Sequence, residues 1–163
     1  MRYSCVNVRL IVGGEMKKRD GESWLPADQF GRSLSGLGVN ILVPKIDDER
    51  AFHTYVLGAE EVYADPDFAV YRGYGAVWLL HADHTYSDHP LYGSLTDELP
   101  RGIGAEFRVY GCDPDDAESR ARERGYDVFA GTIDKPHGLR EVYLISPAGY
   151  MWVPSVPTRQ GVE

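Results

Sequence analysis

The segment "DKPHGLREVYLISPAGYMWVP", residues 134 to 154, contains two strand-like runs joined by a short turn. Both runs are rich in β-branched and aromatic residues, and the Ser-Pro-Ala-Gly sequence at residues 146 to 149 consists of turn formers. His137, Arg140 and Glu141 stand at or just before the start of the first run. The segment therefore predicts a β-hairpin with a group of polar side chains at its beginning.

Working back along the chain, the sequence GLGVNILV at residues 36 to 43 has a second version, GIGAEFRV, at residues 102 to 109. An offset of 66 residues (102 − 36 = 66) aligns Asn40 with Glu106. The ends of the two halves also align, since GAVWLL from Gly75 matches GYMWVP from Gly149, at an offset of 74 (149 − 75 = 74). That second alignment brings Trp78 onto Trp152. The chain therefore contains an internal repeat.

Each half places a helix signal after its first strand and three strand-like runs after the helix. In the first half Asp47 is the predicted N-cap and Gly58 the predicted stop. In the second half Asp113 is the predicted N-cap, Pro114 takes the first helical position and Gly125 ends the helix. We therefore predict an α+β fold of two paired βαβββ modules that form a curved mixed sheet with a cleft.

The predicted organisation is an N-terminal extension at residues 1–35, modules at 36–90 and 102–155, a linker at 91–101 and a tail at 156–163. The first dozen residues alternate apolar with polar side chains, notably at Val6, Val8, Leu10 and Val12, which predicts an accessory strand in residues 1 to 15. Met16, which precedes three basic residues, is also a plausible translation start. In that alternative residues 1 to 15 are upstream sequence.

The composition excludes several classes of function. The 163 residues carry a formal net charge of -8, which repels phosphate backbones and anionic membrane surfaces, so we expect no nucleic-acid and no membrane partner. No apolar run approaches the roughly 18 residues of a membrane span. Cys5 and Cys112 are the two cysteines and form no CxxC motif, which predicts a reducing, cytoplasmic location.

Three segments together resemble the vicinal oxygen chelate superfamily, which includes glyoxalase I, bleomycin-resistance proteins and extradiol dioxygenases. They are NILVPKIDDERAFHTYVLGAEEVY from Asn40, AEFRVYGCDPDDAESRARERGYDV from Ala105 and GLREVYLISPAGYMWV from Gly138. The resemblance covers about residues 36 to 155. Ser146 stands where the family usually has aspartate. The resemblance implies a small-molecule ligand in the cleft and a homodimer.

Metal-dependent members of this family place one ligand on the first strand and one on the last strand of each module. The matching positions in this chain are Gly38 or Asn40, Leu79, Glu106 and Val153. Aliphatic side chains cannot bind a cation, and a single carboxylate cannot hold one unaided. The chain therefore looks similar to the metal-free, ligand-binding branch, with no metal and no cofactor.

A stretch rich in histidine and aspartate follows the first module's last strand. His81, Asp83, His84, Asp88 and His89 lie within nine positions. Such residues can bind a divalent metal ion, but they lack the spacing of a recognised metal site. We expect one or two of these histidines to line a pocket, and a divalent metal is the alternative.

Two residues are candidates for catalysis. Glu106 faces opposite to Phe107 and Val109 on its strand, so it is a general base if that face lines the cleft, and a solvated side chain if it does not. His137 is the second candidate, at the rim of the cleft. The predicted ligand-binding residues are Asn40, Trp78, His81, His84, Tyr86, Arg140, Tyr150 and Trp152. For Arg140 a purely structural ion pair is an equally good interpretation.

The leading hypothesis is a glyoxalase/bleomycin-resistance-like protein that binds a small organic molecule without the family's usual metal. The alternative is a lyase, isomerase or dioxygenase-type enzyme of the same superfamily. Such an enzyme would be metal-free with Glu106 as base, or would use a divalent metal held by the linker histidines.

Overall fold

The structure is a computed structural model, and it describes residues 17–87, 89–90, 101–102 and 104–158. The predicted accessory strand and most of the linker lie outside these residues. The helices are α1 (Ala27–Ser33), α2 (Ile46–Ala51) and α3 (Pro114–Glu123), with a π-helical turn at Phe52–Val56 and a 3-10 turn at Asp83–Tyr86. The strands are β1 (Val39–Val43), β2 (Glu60–Ala64), β3 (Phe68–Gly73), β4 (Ala76–Ala82), β5 (Glu106–Tyr110), β6 (Asp127–Asp134), β7 (Leu139–Ile145) and β8 (Met151–Pro157).

The strands form two four-stranded sheets with the same topology. The first sheet has the order β1-β4-β3-β2 and the second the order β5-β8-β7-β6. In each sheet the first strand pairs in parallel with the last strand of its module, and the remaining pairs are antiparallel. The α+β fold of two βαβββ modules is therefore confirmed. No helix among the described residues is long and apolar enough to cross a bilayer.

The helix signals are confirmed in the second module and partly wrong in the first. The Asp113 side chain accepts hydrogen bonds from the backbone N–H groups of Asp115 and Asp116, at 2.9 and 3.2 Å, as an N-cap does. Helix α2 begins two residues earlier than predicted, at Ile46 with Lys45 as the N-cap residue, and no side chain caps it. Ile46 is buried in the core, so packing rather than a cap fixes this start. Asp47 lies in the first turn instead.

The two sheets share one hydrophobic core on their helix-facing sides. The Trp78 and Trp152 rings meet there with centroids 5.6 Å apart. Phe52 packs edge-on against Tyr126 at 5.4 Å, which joins the helix of the first module to the second module. The opposite side of each sheet, its outer face, is turned away from this core. Asn40 and Leu79 lie on the outer face of the first sheet, where they are paired in register.

The strand register corrects the predicted alignment of the repeat. Trp78 pairs with Val39, and Trp152 pairs with Phe107, so equivalent first-strand positions differ by 68 residues (107 − 39 = 68) and not by 66. The counterpart of Asn40 is therefore Arg108, and the predicted pairing of Asn40 with Glu106 is wrong. An even shift leaves each side chain on the same face of the strand, so the predicted facing of Glu106 is unaffected.

Candidate functional site

Residues 17–34, hereafter the N-terminal segment, cover the outer face of the first sheet. Its aromatic side chains stand edge-on against rings of the sheet, with Trp24 5.0 Å from Tyr63 and Phe30 5.6 Å from Phe68. Trp24 and Phe30 also contact each other at 5.7 Å. Edge-to-face aromatic pairs of this kind are each worth about 0.5–1.5 kcal/mol beyond the area they bury. The segment is therefore held on the sheet by its aromatic rings.

Asp67, in the turn between β2 and β3, anchors the beginning of this segment. Its carboxylate, which is almost fully buried, accepts hydrogen bonds from the backbone N–H groups of Lys18 and Arg19 at 2.7 and 3.3 Å. The third partner is His84 Nε2 at 2.8 Å. Burial by itself would raise the pKa of Asp67, but the hydrogen bonds from His84 and the two backbone groups outweigh burial and lower it. One carboxylate therefore fixes both the segment and His84.

A pocket of about 440 Å³ lies between the N-terminal segment and the first sheet. This volume is within the range of about 300–1,000 Å³ that is typical of small-molecule sites. Its apolar and aromatic walls include Trp24, Phe30, Tyr63, Phe68, Leu79 and Tyr86. Its polar lining includes Lys17, Arg19, Asn40, Asp67 and His81. An apolar pocket with a few convergent polar groups is the usual form of a ligand site.

Three of the predicted ligand-binding residues lie together in this pocket. The His81 ring stands between Phe68 and Tyr86, at centroid distances of 4.6 and 4.9 Å. Burial lowers the pKa of His81 to about 4, so the imidazole is neutral at neutral pH. The Asn40 amide donates a hydrogen bond to the Tyr86 hydroxyl at 2.5 Å. The structure thus brings Asn40, His81 and Tyr86 to one site. His84 is hydrogen-bonded to Asp67 and does not line the pocket.

The other predicted ligand-binding residues lie elsewhere. Trp78 and Trp152 belong to the shared core, where only 5% and 3% of their surface is exposed. The Tyr150 hydroxyl donates to the backbone oxygen of Leu42 at 2.9 Å, which links the two modules. Tyr150 also packs against Gly102, where a Cβ atom would come within 2.4 Å of its ring. Inter-module packing accounts for all three aromatic residues.

Arg140 and Glu141 point to opposite faces of β7, as strand alternation predicts. Arg140 lies on the helix side, where its Nε is 2.7 Å from Asp115 Oδ2 and its Nη1 is 2.8 Å from Asp134 Oδ1. These contacts connect α3 to β6 and β7, so Arg140 forms the structural ion pairs that were one of its two interpretations. Arg140 therefore lies on the opposite side of the sheet from the predicted rim of a cleft.

Glu141 lies at the centre of a charged cluster on the outer face of the second sheet. Its carboxylate is fully buried and contacts the Arg108 guanidinium, His137 Nε2 at 3.0 Å and the Tyr143 hydroxyl at 2.8 Å. Burial alone would raise the pKa of Glu141, but the hydrogen bonds from His137 and Tyr143 and the charge of Arg108 lower it overall. The second-sheet cluster is defined as these four residues together with Glu106.

Glu106 lies at the edge of this cluster and is 44% exposed at its side chain. Its Oε2 is 2.9 Å from Arg108 Nη1, and it lines an open groove of about 870 Å³ with Phe129, Ile145 and Met151. The structure therefore places the two predicted catalytic residues in one cluster, with Glu106 bound to Arg108 and His137 bound to Glu141. Their catalytic roles stay predictions.

Sequence reasoning missed Arg108 as a member of this cluster. Its partner Glu141 is 33 positions away along the chain. One signal could have found the pair: Arg108 and Glu141 are both charged residues within apolar strands, and a buried strand rarely tolerates such a residue without a partner.

The histidines and aspartates after β4 are dispersed among different partners. Asp83 binds the Arg101 guanidinium through both oxygens, at 2.7 and 2.5 Å. The His89 ring lies 4.6 Å from the Tyr86 ring, and His84 is bound to Asp67. Asp88 lies outside the described residues. Within the described ranges no three His, Cys, Asp or Glu side chains are grouped as a metal site would require.

Comparison with known proteins adds the fold family. The sequence matches no protein-family model and no curated protein. A glyoxalase/bleomycin resistance protein/dioxygenase from Nocardioides matches with a TM-score of 0.58 and 23% identity, over 82% of this chain and 92% of its own. A protein of the same description from Burkholderia phytofirmans PsJN matches with a TM-score of 0.63 and 17% identity, over 74% and 96%. This chain has the vicinal oxygen chelate fold.

The same fold appears in a lactoylglutathione lyase from Agrobacterium tumefaciens, which matches with a TM-score of 0.56 and 19% identity, over 79% of this chain and 98% of its own. At these identities the likeness shows the fold and nothing about activity. The vicinal oxygen chelate fold predicted from the sequence is therefore confirmed.

The strand positions that hold a metal in some vicinal oxygen chelate proteins do not fit one here. In the observed register they are Asn40, Leu79, Arg108 and Val153. Two of these side chains are aliphatic, and a guanidinium has only donors and carries the same sign of charge as the ion. The nearby carboxylate of Glu106 is already paired with Arg108. These residues give the usual metal no adequate donor set.

Proposed function

We propose that this protein binds a small organic molecule in the pocket between the N-terminal segment and the first sheet, without the family's usual metal. The observation that carries the proposal is the pocket itself. It has aromatic walls, it includes neutral His81 and Asn40, and the N-terminal segment covers it. A binding or sequestering role follows from such a site more directly than a catalytic one.

The chemistry of the pocket sets the expected affinity. Burying about 250 Å² of apolar ligand surface would contribute about 6 kcal/mol at 25 cal/mol per Å². Taken alone, that contribution corresponds to a dissociation constant of about 40 μM. Hydrogen bonds to Asn40 and His81 would mainly discriminate between ligands. A ligand that leaves these polar groups without a hydrogen bond would displace their water without replacing it, and would bind more weakly.

Filling the pocket should weaken binding of a neutral probe. N-phenyl-1-naphthylamine, which fluoresces in apolar sites, is expected to bind the native protein. Leu79 lines the pocket, so a tryptophan in its place (Leu79→Trp) would occupy the space. We expect at least about tenfold weaker binding, as for the loss of several buried methylene contacts. Fluorescence titration measures the effect.

Val77→Trp is the matched control for this substitution. Val77 lies on the same strand and the same face, two residues away, and lines a different groove. The Val77→Trp variant should bind the probe like the native protein, with both variants checked for native circular dichroism. Equal binding by the native protein and Leu79→Trp, or equal loss in both variants, would contradict the proposed site.

The remaining expectations stay predictions. They are the homodimer that the resemblance implies, the cytoplasmic location and the enzymatic alternatives. For the version with Glu106 as base, the structure gives an ion-paired and partly exposed carboxylate beside Arg108. The version with linker histidines as metal ligands needs His81, His84 and His89 to leave their separate partners.

A further inference from the structure

Resting on the proposed function, we infer that the pocket selects a planar aromatic acid, whose carboxylate is bound by Arg19. The polar end of the pocket, where the N-terminal segment begins, has the charge and hydrogen-bonding groups that distinguish an acid from other ligands.

Arg19 is a largely buried cation on the pocket wall. Its side chain is 18% exposed, and its Nε is fully buried without a hydrogen-bond acceptor in the part of the chain that the structure describes. Its ion pair is with Asp65, whose Oδ2 is 3.8 Å from Nη1, beyond hydrogen-bond distance. Because Asp65 is too far away to accept a hydrogen bond from Nη1, an acceptor that a ligand supplies to the guanidinium from the pocket would be bound favourably.

The carboxylates near Arg19 already have several partners each. Asp65 Oδ1 accepts from the backbone N–H groups of Asp67 and Phe68 at 2.8 and 2.7 Å, and Asp65 Oδ2 accepts from the Tyr63 hydroxyl at 2.6 Å. Asp67 accepts from two backbone N–H groups and His84. These carboxylates accept hydrogen bonds mainly from the turn and from the N-terminal segment. They have little remaining capacity to accept hydrogen bonds from a cationic ligand.

The hydrogen-bonding groups at this end of the pocket favour an anion. The charges of Arg19 and Lys17 are opposed by those of Asp65 and Asp67, and His81 is neutral. Both carboxylates are hydrogen-bonded within the protein, whereas Asp65 is too far from Arg19 Nη1 to accept from it. A carboxylate matches the planar fork of a guanidinium and can take two parallel hydrogen bonds from it. An aromatic wall could also attract a cation, but the two positive side chains oppose that choice.

The shape of the walls favours a flat ring system. The walls include the rings of Trp24, Phe30, Tyr63 and Phe68. Three of their contacts are edge-on, at interplanar angles of 72 to 75°, and Tyr63 is tilted by 42° against Phe68, so flat faces and edges border the space. A rigid aromatic ligand also loses few rotatable bonds on binding, which keeps the entropy cost low. Together, these features indicate an aromatic ring carrying one carboxylate.

A displacement series tests the sign of charge. Bound N-phenyl-1-naphthylamine would be displaced by 1-naphthoate, by neutral 1-naphthamide and by 1-naphthylmethylammonium, which share one ring system. We expect the acid to bind native protein at least about tenfold more tightly than the amide, as one charge-assisted hydrogen-bond pair supplies. The ammonium compound should bind most weakly.

Arg19→Gln should remove this preference and leave the rest of the site intact. The acid-to-amide ratio is expected to fall to within about twofold, because the affinity for the acid should fall much more than the affinity for the amide. Arg32→Gln is the matched control, because Arg32 lies on the same segment with its side chain 82% exposed and outside the pocket lining. That variant should keep the native ratio.

The possible outcomes separate the inference from the proposed function. Equal affinity for acid and amide, tightest binding of the ammonium compound, or failure of all three to displace a bound probe would overturn the inference alone. Equal weakening of acid and amide in Arg19→Gln would show that Arg19 holds the segment rather than the ligand, and would also overturn it. If the probe itself does not bind native protein, the proposed function fails, and the inference fails with it.

Discussion

Replacement of Trp152 with alanine is expected to lower the free energy of unfolding by about 3–5 kcal/mol, the usual cost of removing a large aromatic side chain from a core. Trp152 is 3% exposed and contacts rings from both modules, with Phe107 at 4.8 Å, His53 at 5.0 Å and Trp78 at 5.6 Å. The cavity would open where the modules meet. Urea denaturation followed by circular dichroism measures the change.

Trp24→Ala is the matched substitution for Trp152→Ala, because it removes the same side chain from the pocket wall. Trp24 is 40% exposed and makes two edge-on ring contacts, so its loss should lower the free energy of unfolding by about 1–3 kcal/mol, less than the loss of Trp152. The same change should weaken binding of N-phenyl-1-naphthylamine at least about fivefold, while folded Trp152→Ala binds the probe normally. The reverse pattern, with stability kept and binding lost in Trp152→Ala, would show that Trp152 contacts the ligand.

Replacement of Arg108 with leucine is expected to lower the free energy of unfolding by about 3 kcal/mol. Removing one partner of a buried ion pair typically costs about 3–5 kcal/mol, and the lower end applies because the Arg108 side chain is 27% exposed. The fully buried carboxylate of Glu141 would keep only His137 and Tyr143. Adding Glu141→Gln to Arg108→Leu should restore part of the loss, because it removes the uncompensated charge.

Arg140→Leu is the matched control for Arg108→Leu. Arg140 is next to Glu141 on β7 but points to the other face of the sheet. Its contacts with Asp115 and Asp134 are partly exposed. Its replacement should lower the free energy of unfolding much less than Arg108→Leu does, as for surface ion pairs. Equal losses in the two variants would contradict the account of the second-sheet cluster.

The effect of Arg108→Leu should also depend on pH. The pKa of Glu141 is lowered in the folded protein. Its pairing therefore stabilises the native state at pH values above about 4.3, the pKa of a glutamate in the unfolded chain. That contribution is lost as the pH falls through the lower folded value. The stability difference between native protein and Arg108→Leu should therefore be largest above about pH 5 and should shrink below about pH 4.

The parts of the fold that rest on local signals could be predicted from the sequence. The Asp113 cap, the glycine stops and the strand-turn-strand segment around residues 146–149 each follow from the conformational preferences of a few adjacent residues. Both glycine stops adopt positive φ, at 70° for Gly58 and 72° for Gly125, where glycine alone is unstrained. Repetition of these signals made the two-module prediction robust.

The register of the repeat could not be predicted in the same way. The local sequence does not indicate that Phe107, rather than Ala105, is the register partner of Trp152. The register depends on packing between two strands that are 45 residues apart along the chain (152 − 107 = 45). The two tryptophans illustrate a similar limit. A tryptophan in an apolar strand can line a ligand site or belong to the hydrophobic core. In the structure both tryptophans belong to the core that the two sheets share.

The pocket was only half predictable. Asn40, His81 and Tyr86 were identified as candidates by their polarity near strands, but alternation alone does not state what covers a sheet face. The cover is the N-terminal segment, held by Trp24 against Tyr63 and by the Asp67 carboxylate. The sequence identified residues 1–35 as an extension. Contacts between the segment and the first module follow from tertiary packing rather than from any repeat.

A crystal structure of the protein with bound N-phenyl-1-naphthylamine tests the central claim most directly. The account predicts electron density for the probe between Trp24 and Leu79, in contact with the His81 ring and the Asn40 amide. Probe density confined to the open groove of the second sheet, beside Ile145 and Met151, would contradict it.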